Sequence, residues 1–322
     1  MEEKTIAVLT SGGDAPGMNA AIRAVVRAGI FKGFRVLGVR RGYNGLIKGD
    51  LVEMNLRSVS GIIHRGGTVL YTARSPEFNT EAGMQKAIQV CRAHNILGVV
   101  VIGGDGSFRG ARDLSERGYN CVGIPGTIDN DIACSDYTIG FDTAMNTAME
   151  AVDRLRDTSQ SHDRCSVVEV MGRRAGWLAL RCGIAVGATS ILVPEAPFDL
   201  QKDVIDRMVE NQRAGKQHFV VVVAEGVGNV SEIAKEIQTR TGIESRATVL
   251  GHIQRGGSPT VTDRVVASQM GYHAVELLSK GIGNRVVAMK ADKVVDYNIS
   301  EALQMKKPFD FNLYQIAHDI SI

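Results

Sequence analysis

Ile96-Leu97-Gly98-Val99-Val100-Val101-Ile102 runs without a polar side chain into Gly103-Gly104-Asp105-Gly106-Ser107. So short an apolar run, rich in β-branched residues, predicts a strand over Gly98–Ile102, buried on both faces. The glycines that stop it, followed by an acid and a hydroxyl, predict a turn leading into a helix. The pattern recurs twice. Ile6-Ala7-Val8-Leu9 precedes Thr10-Ser11-Gly12-Gly13-Asp14-Ala15-Pro16-Gly17, and Cys121-Val122-Gly123-Ile124 precedes Pro125-Gly126-Thr127-Ile128-Asp129-Asn130-Asp131.

Outside these runs, strands are predicted at Arg35–Val39, Ser166–Val170, Ser190–Val193, Phe219–Ala224 and Val286–Met289. Helical stretches alternate with them: Ala20–Phe31, Glu81–His94, Gly110–Glu116, Thr143–Asp157, Leu178–Ala185, Val204–Arg213, Val230–Thr241 and Thr262–Ser279. Strands with few polar positions, spaced by helices, predict an α/β protein of mainly parallel sheets. A length of 322 residues suggests two domains. The polar stretch Asp157–Asp163 is the one candidate joint between halves. Arg65-Gly66-Gly67-Thr68 and Arg255-Gly256-Gly257-Ser258 echo one another, but two such short words make neither a repeat nor an RNA-binding segment.

A net charge of +2 gives no field suited to nucleic acid or an anionic membrane. The five cysteines (Cys91, Cys121, Cys134, Cys165 and Cys182) include no C-x-x-C pair, which argues for reduced thiols, not a disulfide framework or a zinc site. The opening Met1-Glu2-Glu3-Lys4 is acidic and does not resemble a signal peptide. No apolar run approaches the roughly 20 residues of a membrane helix. A cytoplasmic protein is expected.

Ligands of open α/β sheets bind beyond the carboxyl ends of the strands, where all three turns are expected to lie. In the Thr10–Gly17 turn, the glycines let backbone N–H groups approach a phosphate, and the following helix adds its positive end. Asp105 is a hard anion suited to Mg²⁺, and Gly106 leaves space for a polyphosphate. Ser107 can instead cap the next helix. In the third turn, Asp129 can accept a proton from an attacking hydroxyl, Asp131 can help hold the metal, and Thr127 can hydrogen-bond a moving phosphoryl oxygen.

With these words in hand, the chain resembles the bacterial ATP-dependent 6-phosphofructokinases along essentially its whole length. The matching words are T-S-G-G-D-A-P-G-M-N-A at Thr10–Ala20, G-G-D-G-S at Gly103–Ser107 and P-G-T-I-D-N-D at Pro125–Asp131. They continue with E-V-M-G-R at Glu169–Arg173 and G-H-I-Q-R-G-G at Gly251–Gly257. The resemblance implies two Rossmann-like three-layer domains with the active site in the cleft between them. A larger ATP- and Mg-binding domain would comprise 1–138 and 251–301. A smaller sugar-phosphate-binding domain would comprise 139–250 and 302–322. The implied reaction transfers phosphoryl from ATP, with Mg²⁺, to O1 of fructose 6-phosphate, as in glycolysis.

The same likeness implies that Asp129, Thr127 and Arg173 are catalytic and that Asp105 and Asp131 serve the metal. Gly13, Arg74, Ser75, Gly104, Asp105, Gly106 and Ser107 would line the ATP site. Thr127, Ile128, Asp129, Met171, Gly172, Arg173, Glu225, His252, Ile253, Gln254 and Arg255 would hold the sugar phosphate within one subunit. Arg164 and Arg246 match family arginines that reach a neighbouring subunit's sugar phosphate, which implies a homotetramer. The residues agree chemically. A phosphate suits the planar fork of arginine. Arg255 and His252 can converge from one turn. Glu225 can accept bonds from sugar hydroxyls, and Arg173 can neutralise charge on the transferred group.

Pyrophosphate-using relatives typically carry an acid after G-G-D and a lysine before T-I-D-N-D. Here those positions are Gly106 and Gly126. Both are small, leaving room for a nucleotide's α-phosphate, and ATP is the expected donor. Trp177 is the one feature commoner in pyrophosphate-type relatives, and its expected role is packing at a helix start.

The family binds ADP as activator and phosphoenolpyruvate as inhibitor between subunits. Arg23, Arg27, Arg156, Gly187, Lys216 and His218 match that effector site. Leu56, Gly61, Thr189 and Ala214 depart from it, in place of an arginine, an acid, a metal-holding acid and a lysine. Weak or absent ADP activation is expected. Three other readings are a pyrophosphate-dependent relative, a lipid- or NAD-kinase relative sharing G-G-D-G, and a non-catalytic nucleotide sensor. The second leaves P-G-T-I-D-N-D unexplained. The third predicts damage at acids that are all present.

Overall fold

The computed structural model of the chain describes residues 4–321. The chain opens with β1 (Thr5–Thr10), α1 (Met18–Phe31), β2 (Arg35–Val39), α2 (Gly42–Lys48), β3 (Leu51–Met54) and α3 (Glu81–Ala93). It continues with β4 (Ile96–Gly103), α4 (Asp105–Ser115), β5 (Asn120–Pro125), α5 (Phe141–Gln160), β6 (Cys165–Val170) and α6 (Trp177–Ala185). Next come β7 (Ser190–Leu192), α7 (Arg207–Arg213), β8 (Phe219–Ala224), α8 (Val230–Thr241), β9 (Ser245–Val249) and α9 (Val261–Ser279). The last elements are β10 (Arg285–Lys290), β11 (Lys293–Asn298), α10 (Ile299–Gln304) and α11 (Phe311–Asp319).

Two compact units result. One runs to Ile128 and resumes over Ile132–Thr143 and Arg255–Lys307; the other holds Asp129–Asp131, Ala144–Gln254 and the chain from Pro308 onward. The segments expected to change at 138, 251 and 301 change a few residues later, where side chains tie them in, and Asp129–Asp131, expected in the larger domain, groups with the second unit. Asp263 of α9 keeps Thr143 in the first unit through its backbone N–H at 2.9 Å. Arg255 stays there through a 3.1 Å bond to the Asp14 carbonyl, and Lys307 through a 2.9 Å bond to Ser135. The polar Asp157–Asp163 stretch is not a joint. α5 extends to Gln160, and the whole stretch lies inside the second unit.

The first unit is built on a seven-stranded sheet ordered β11-β10-β5-β4-β1-β2-β3. Its five central strands are parallel, as doubly buried apolar runs require, and β3 and β11 are antiparallel edges. Sequence reading misses both edges because neither is an apolar run: Leu51-Val52-Glu53-Met54 is short, and Lys293–Asn298 is only partly buried. Leu9, Leu37, Val99, Val101, Phe108 and Val286 build the core, and Tyr43 stacks on Phe78 with ring centroids 3.9 Å apart.

The R-G-G echo acquires a physical meaning here. A Cβ on Gly66 would come within 2.3 Å of the Gly257 carbonyl oxygen, so the two words pack backbone to backbone. Ser258 Oγ donates to His64 O at 2.7 Å across the same contact. Asn19 of α1 secures the first word, donating to Arg65 O and Gly66 O and accepting from Val69 N.

The second unit holds a four-stranded, wholly parallel sheet ordered β7-β8-β6-β9. Val167, Phe219, Val221, Val223, Met208 and Ile237 form its core. Strand β9 escapes sequence reading because Ser245-Arg246-Ala247-Thr248-Val249 is a largely polar edge. The expected Val204–Arg213 helix is preceded by π-helix over Gln201–Asp206 and regular only from Arg207. Trp177 opens α6 and packs against Phe309 at 5.3 Å, which fits its reading as a packing residue. All five cysteines are free and buried, and burial pushes the Cys91, Cys121, Cys165 and Cys182 thiols up to about 12. Among the described residues no helix is long and apolar enough to cross a membrane.

Candidate active site

In the first unit, β1, β4 and β5 are adjacent and parallel, with Thr10 opposite Ile102 and Gly103 opposite Pro125. Their three turns therefore leave the same sheet edge at one level. Ser11 N donates to Ile102 O at 2.9 Å, and Gly126 N donates to Gly103 O at 3.0 Å. Ser107 Oγ donates to Ser11 O at 3.2 Å. This tight stitching explains Gly103: a Cβ there would lie 2.5 Å from both Ser107 Oγ and Ser11 O.

Helix α4 starts at this edge. Its N-cap, Gly104, is extended and provides no side-chain cap, and Asp105 is its first residue. A Cβ on Gly104 or Gly106 would meet nothing within 4 Å. The helix N-terminus thus faces open space with its positive dipole end, as an anion site needs. Ser107 does not cap the helix; its buried hydroxyl is committed to Ser11. Tyr43 braces the same turn from below, its OH donating to Ser107 O at 2.6 Å. Burial raises the Tyr43 pKa well above the ordinary phenol value, so the bond keeps its proton. Arg74 is exposed and Ser75 half-buried just before a short helical turn; Ser75 Oγ is buried with no partner among the described residues.

Two glycines have different neighbours from those expected. Gly13 admits an arginine, because a Cβ there would lie 2.7 Å from Arg255 Nη1. Arg255 thus rests on the first glycine turn. At Gly126 a Cβ would press on Ile102 and Met18 at 3.1 Å. Its small size therefore relieves the core, and of the two glycines expected to favour ATP, Gly106 is the one that leaves open room. Thr127 is half-buried, with its backbone held between Ile139 O and the Thr138 hydroxyl. Ile128 is fully buried, so its backbone alone is available to a substrate.

In the second unit, Asp129 and Asn130 are buried and Asp131 is half-buried. Asn130 sits at φ 50°, a left-handed conformation that asparagine tolerates. The carboxyl ends of β6, β8 and β9 carry Met171, Glu225 and His252 to one edge. Glu225 N donates to Val170 O, and Leu250 N donates to Glu169 O. Gly172 at φ 142° and Arg173 at φ 60° bend the first of these loops sharply, leaving the Arg173 side chain exposed. His252 and Ile253 are exposed as well. Gln254 is fully buried: its Oε1 accepts from Met171 N and its Nε2 donates to Gly251 O. It braces two loops instead of meeting a substrate directly. Burial, and then the charge of Glu225, raises the Glu169 pKa.

Arg164 and Arg246 lie at the opposite edge, before β6 and at the start of β9. Both bind Glu244, at 2.7 and 2.6 Å, and their hydrogen bonds lower its pKa. Within its own unit, neither arginine joins Glu225 and His252.

The expected effector residues fall on both units. Arg23 and Arg27 lie on α1. In the second unit, the Lys216 pKa is lowered by burial and by the charges of Arg156 and Arg207. Arg156 Nε and Nη2 are buried without a partner among the described residues. Thr189 is fully buried, Gly187 is exposed and His218 half-buried. Arg207, which sequence reading overlooks, donates to His318 O at 2.6 Å and to Ser321 Oγ.

Among the described residues no group of three or more His, Cys, Asp or Glu is placed to hold a metal ion. Asp105 still suits a hard cation that takes its other oxygens from phosphate and water. Sequence reading assigns no role to Tyr43, Asn19 or Asp263, because their partners are backbone and hydroxyl groups far away along the chain.

Two α/β units with glycine-rich turns at the carboxyl edges of parallel strands define a class of protein that handles phosphorylated ligands. The phosphofructokinase family model matches residues 5–278, and the chain belongs to that family. It is 58% identical over 318 residues to a Clostridium botulinum ATP-dependent 6-phosphofructokinase, covering 99% of each chain. A Brevibacillus brevis protein of the same name is 55% identical over 319 residues, covering 99% of this chain and all of the other. Phosphofructokinase from Saccharomyces cerevisiae superposes with a TM-score of 0.90 at 34% identity, over 99% of this chain but 48% of that longer one. A pyrophosphate-dependent phosphofructokinase from Marinobacter aquaeolei gives 0.84 at 25% identity, over 96% of this chain and 86% of the other.

Proposed function

We propose that the chain transfers the γ-phosphoryl group of ATP to O1 of fructose 6-phosphate, giving fructose 1,6-bisphosphate and ADP. The observation that carries this reading is the open, uncapped N-terminus of α4 at Gly104–Gly106, level with the Thr10 and Pro125 turns. The high identity to relatives named as ATP-dependent enzymes supports ATP over pyrophosphate.

In this reading O1 attacks the γ-phosphorus, the bond to the β,γ-bridging oxygen breaks, and the O1 proton passes to Asp129. A carboxylate is a weak base for an alcohol, which suffices because the transition state is loose and the proton leaves late. Thr127 donates to the moving phosphoryl group, and Arg173 balances the charge that develops on it. Asp105 and Asp131 would hold Mg²⁺, which when bound neutralises phosphate charge. Glu225 and His252 bind the sugar. Arg164 and Arg246 serve the sugar phosphate of a neighbouring copy, a role supported by their distance from Glu225 within the unit. A homo-oligomer with shared sites follows from that assignment. A donor-by-acceptor assay tests the proposal: Mg-ATP with fructose 6-phosphate should give the fastest turnover, and comparable turnover with pyrophosphate would overturn the donor.

A further inference from the structure

We infer that Asp263 is a positioning residue for the reaction, holding the Thr127 turn in register through the 137–143 segment. The inference rests on the assignment of Thr127 to the moving phosphoryl group. Asp263 lies in the first turn of α9, is fully buried, and accepts four hydrogen bonds from that one segment. One carboxylate oxygen takes Tyr137 OH at 2.5 Å and Gly140 N at 2.6 Å. The other takes Thr143 N at 2.9 Å and the Thr143 hydroxyl. Thr143 Oγ1 in turn accepts from Thr260 N, and Thr260 caps α9 through Asp263 N. A buried carboxylate is costly unless its oxygens are satisfied, so this arrangement has little freedom to relax.

The held segment runs directly beside the site. Ile139 N donates to Pro125 O at 3.0 Å, and Thr127 N donates back to Ile139 O at 3.1 Å. Thr138 Oγ1 donates to Thr127 O at 2.7 Å. The other side of the segment meets the first glycine turn. A Cβ on Gly140 would lie 2.7 Å from Ala15 Cβ, and one on Gly17 would lie 2.6 Å from Ile139 Cγ2. Asp263 thus fixes one short segment that touches two of the three turns.

A double-mutant cycle between Asp263 and Thr127 tests this, read in kcat and in KM for ATP and fructose 6-phosphate. Misplacing a reacting contact by about an ångström costs up to roughly a hundredfold, so D263N should lower kcat by about ten- to a hundredfold. KM values should move much less. In the T127A background the same substitution should have little further effect on kcat, because the group it positions is gone. Additive losses in kcat, or a loss confined to thermal stability and both KM values, would overturn the inference. If T127A alone leaves kcat unchanged, the phosphoryl assignment of Thr127 fails first and the inference falls with it. Should D263N not fold, Y137F removes a single bond and leaves the carboxylate in place. The expected result is then a smaller kcat loss in the wild-type background that vanishes with T127A, and additivity again overturns the idea.

Discussion

Arg164 Nε donates to Glu244 at 2.7 Å, at the sheet edge opposite the one that carries Glu225. The side chain is only 27% exposed and already has an anionic partner, yet by its proposed role it meets a phosphate on a neighbouring copy. Exchange between a carboxylate and a phosphate on one guanidinium is chemically easy, since both accept its planar fork. R164A should raise KM for fructose 6-phosphate by roughly ten- to a hundredfold, the value of a lost charge-assisted bond. If the sites are shared, mixed oligomers of R164A and Asp129→Ser subunits should contain some intact sites. Their activity should exceed that of either parent, and mixtures no more active than the parents would count against trans recognition.

The two glycines behind the choice of donor differ in surroundings, and that separates two substitutions. Gly106→Asp adds its side chain into open space in the first turn of a helix, where an acid suits the dipole. The fold should persist while KM for ATP rises by about tenfold or more through charge repulsion. Gly126→Lys pushes Cβ onto Ile102 and Met18, with an expected stability loss of about 1–3 kcal/mol from overpacking. Thermal unfolding together with ATP titration of both variants checks the contrast. Equal loss of stability would show that Gly106 is structural after all.

Much of this was readable in the residues, and the misses have physical causes. The central strands are apolar on both faces, so Arg35–Val39 and Phe219–Ala224 read directly as strands. Strand β9 and the antiparallel edges lack that signal because one side is solvated. At the site, motifs locate Asp105, Thr127 and Asp129 by type and spacing. They do not reveal that Gly13 makes room for Arg255, or that Gln254 is a buried brace, because both facts concern residues far apart in sequence. Asp263 is invisible for the same reason: its partners lie more than a hundred positions away.

Effector response should be altered. Thr189 stands where the family's metal-holding acid is expected and lines a pocket with Asp203 and Arg207, while Arg156 and Arg207 lie near enough to Lys216 to lower its pKa. Losing a carboxylate for the effector's metal weakens a nucleotide by roughly ten- to a hundredfold, at about 1.5–3 kcal/mol for each charge-assisted bond. Simple anions are less affected, since Arg156 keeps buried N–H groups without a partner among the described residues. Titrating ADP and phosphoenolpyruvate at subsaturating fructose 6-phosphate should show little or no ADP activation. A strong ADP response would refute it.

Stability should depend on pH through Asp296. Burial acts to raise its pKa, but hydrogen bonds from His273 and Arg285 outweigh this and hold it below the ordinary carboxylate value. A carboxylate whose folded pKa is depressed contributes stability that is fully present above its unfolded value of about 3.9. The contribution is lost as pH falls through the folded value. Asp296→Asn should therefore cost about 1–2 kcal/mol at pH 7, and the gap from wild type should close below the folded pKa. Melting curves of both proteins across pH 3 to 7 would check this, and a gap independent of pH would mean that the carboxylate charge is not what stabilises the β10–β11 edge.

The most direct test of the chemistry concerns Asp129. It is 6% exposed, next to Asn130 in a left-handed conformation, so it is shielded from bulk water. A general base contributes about 10²–10⁴ to a rate, and it does so in the transition state, not in the ground state. Asp129→Ser keeps a small polar side chain but removes the carboxylate that accepts the proton. It should lower kcat by roughly 10²–10⁴ while leaving KM for ATP and fructose 6-phosphate nearly unchanged. A rise in both KM values with kcat preserved would instead assign Asp129 to binding, and the base would have to be sought elsewhere at the same turn.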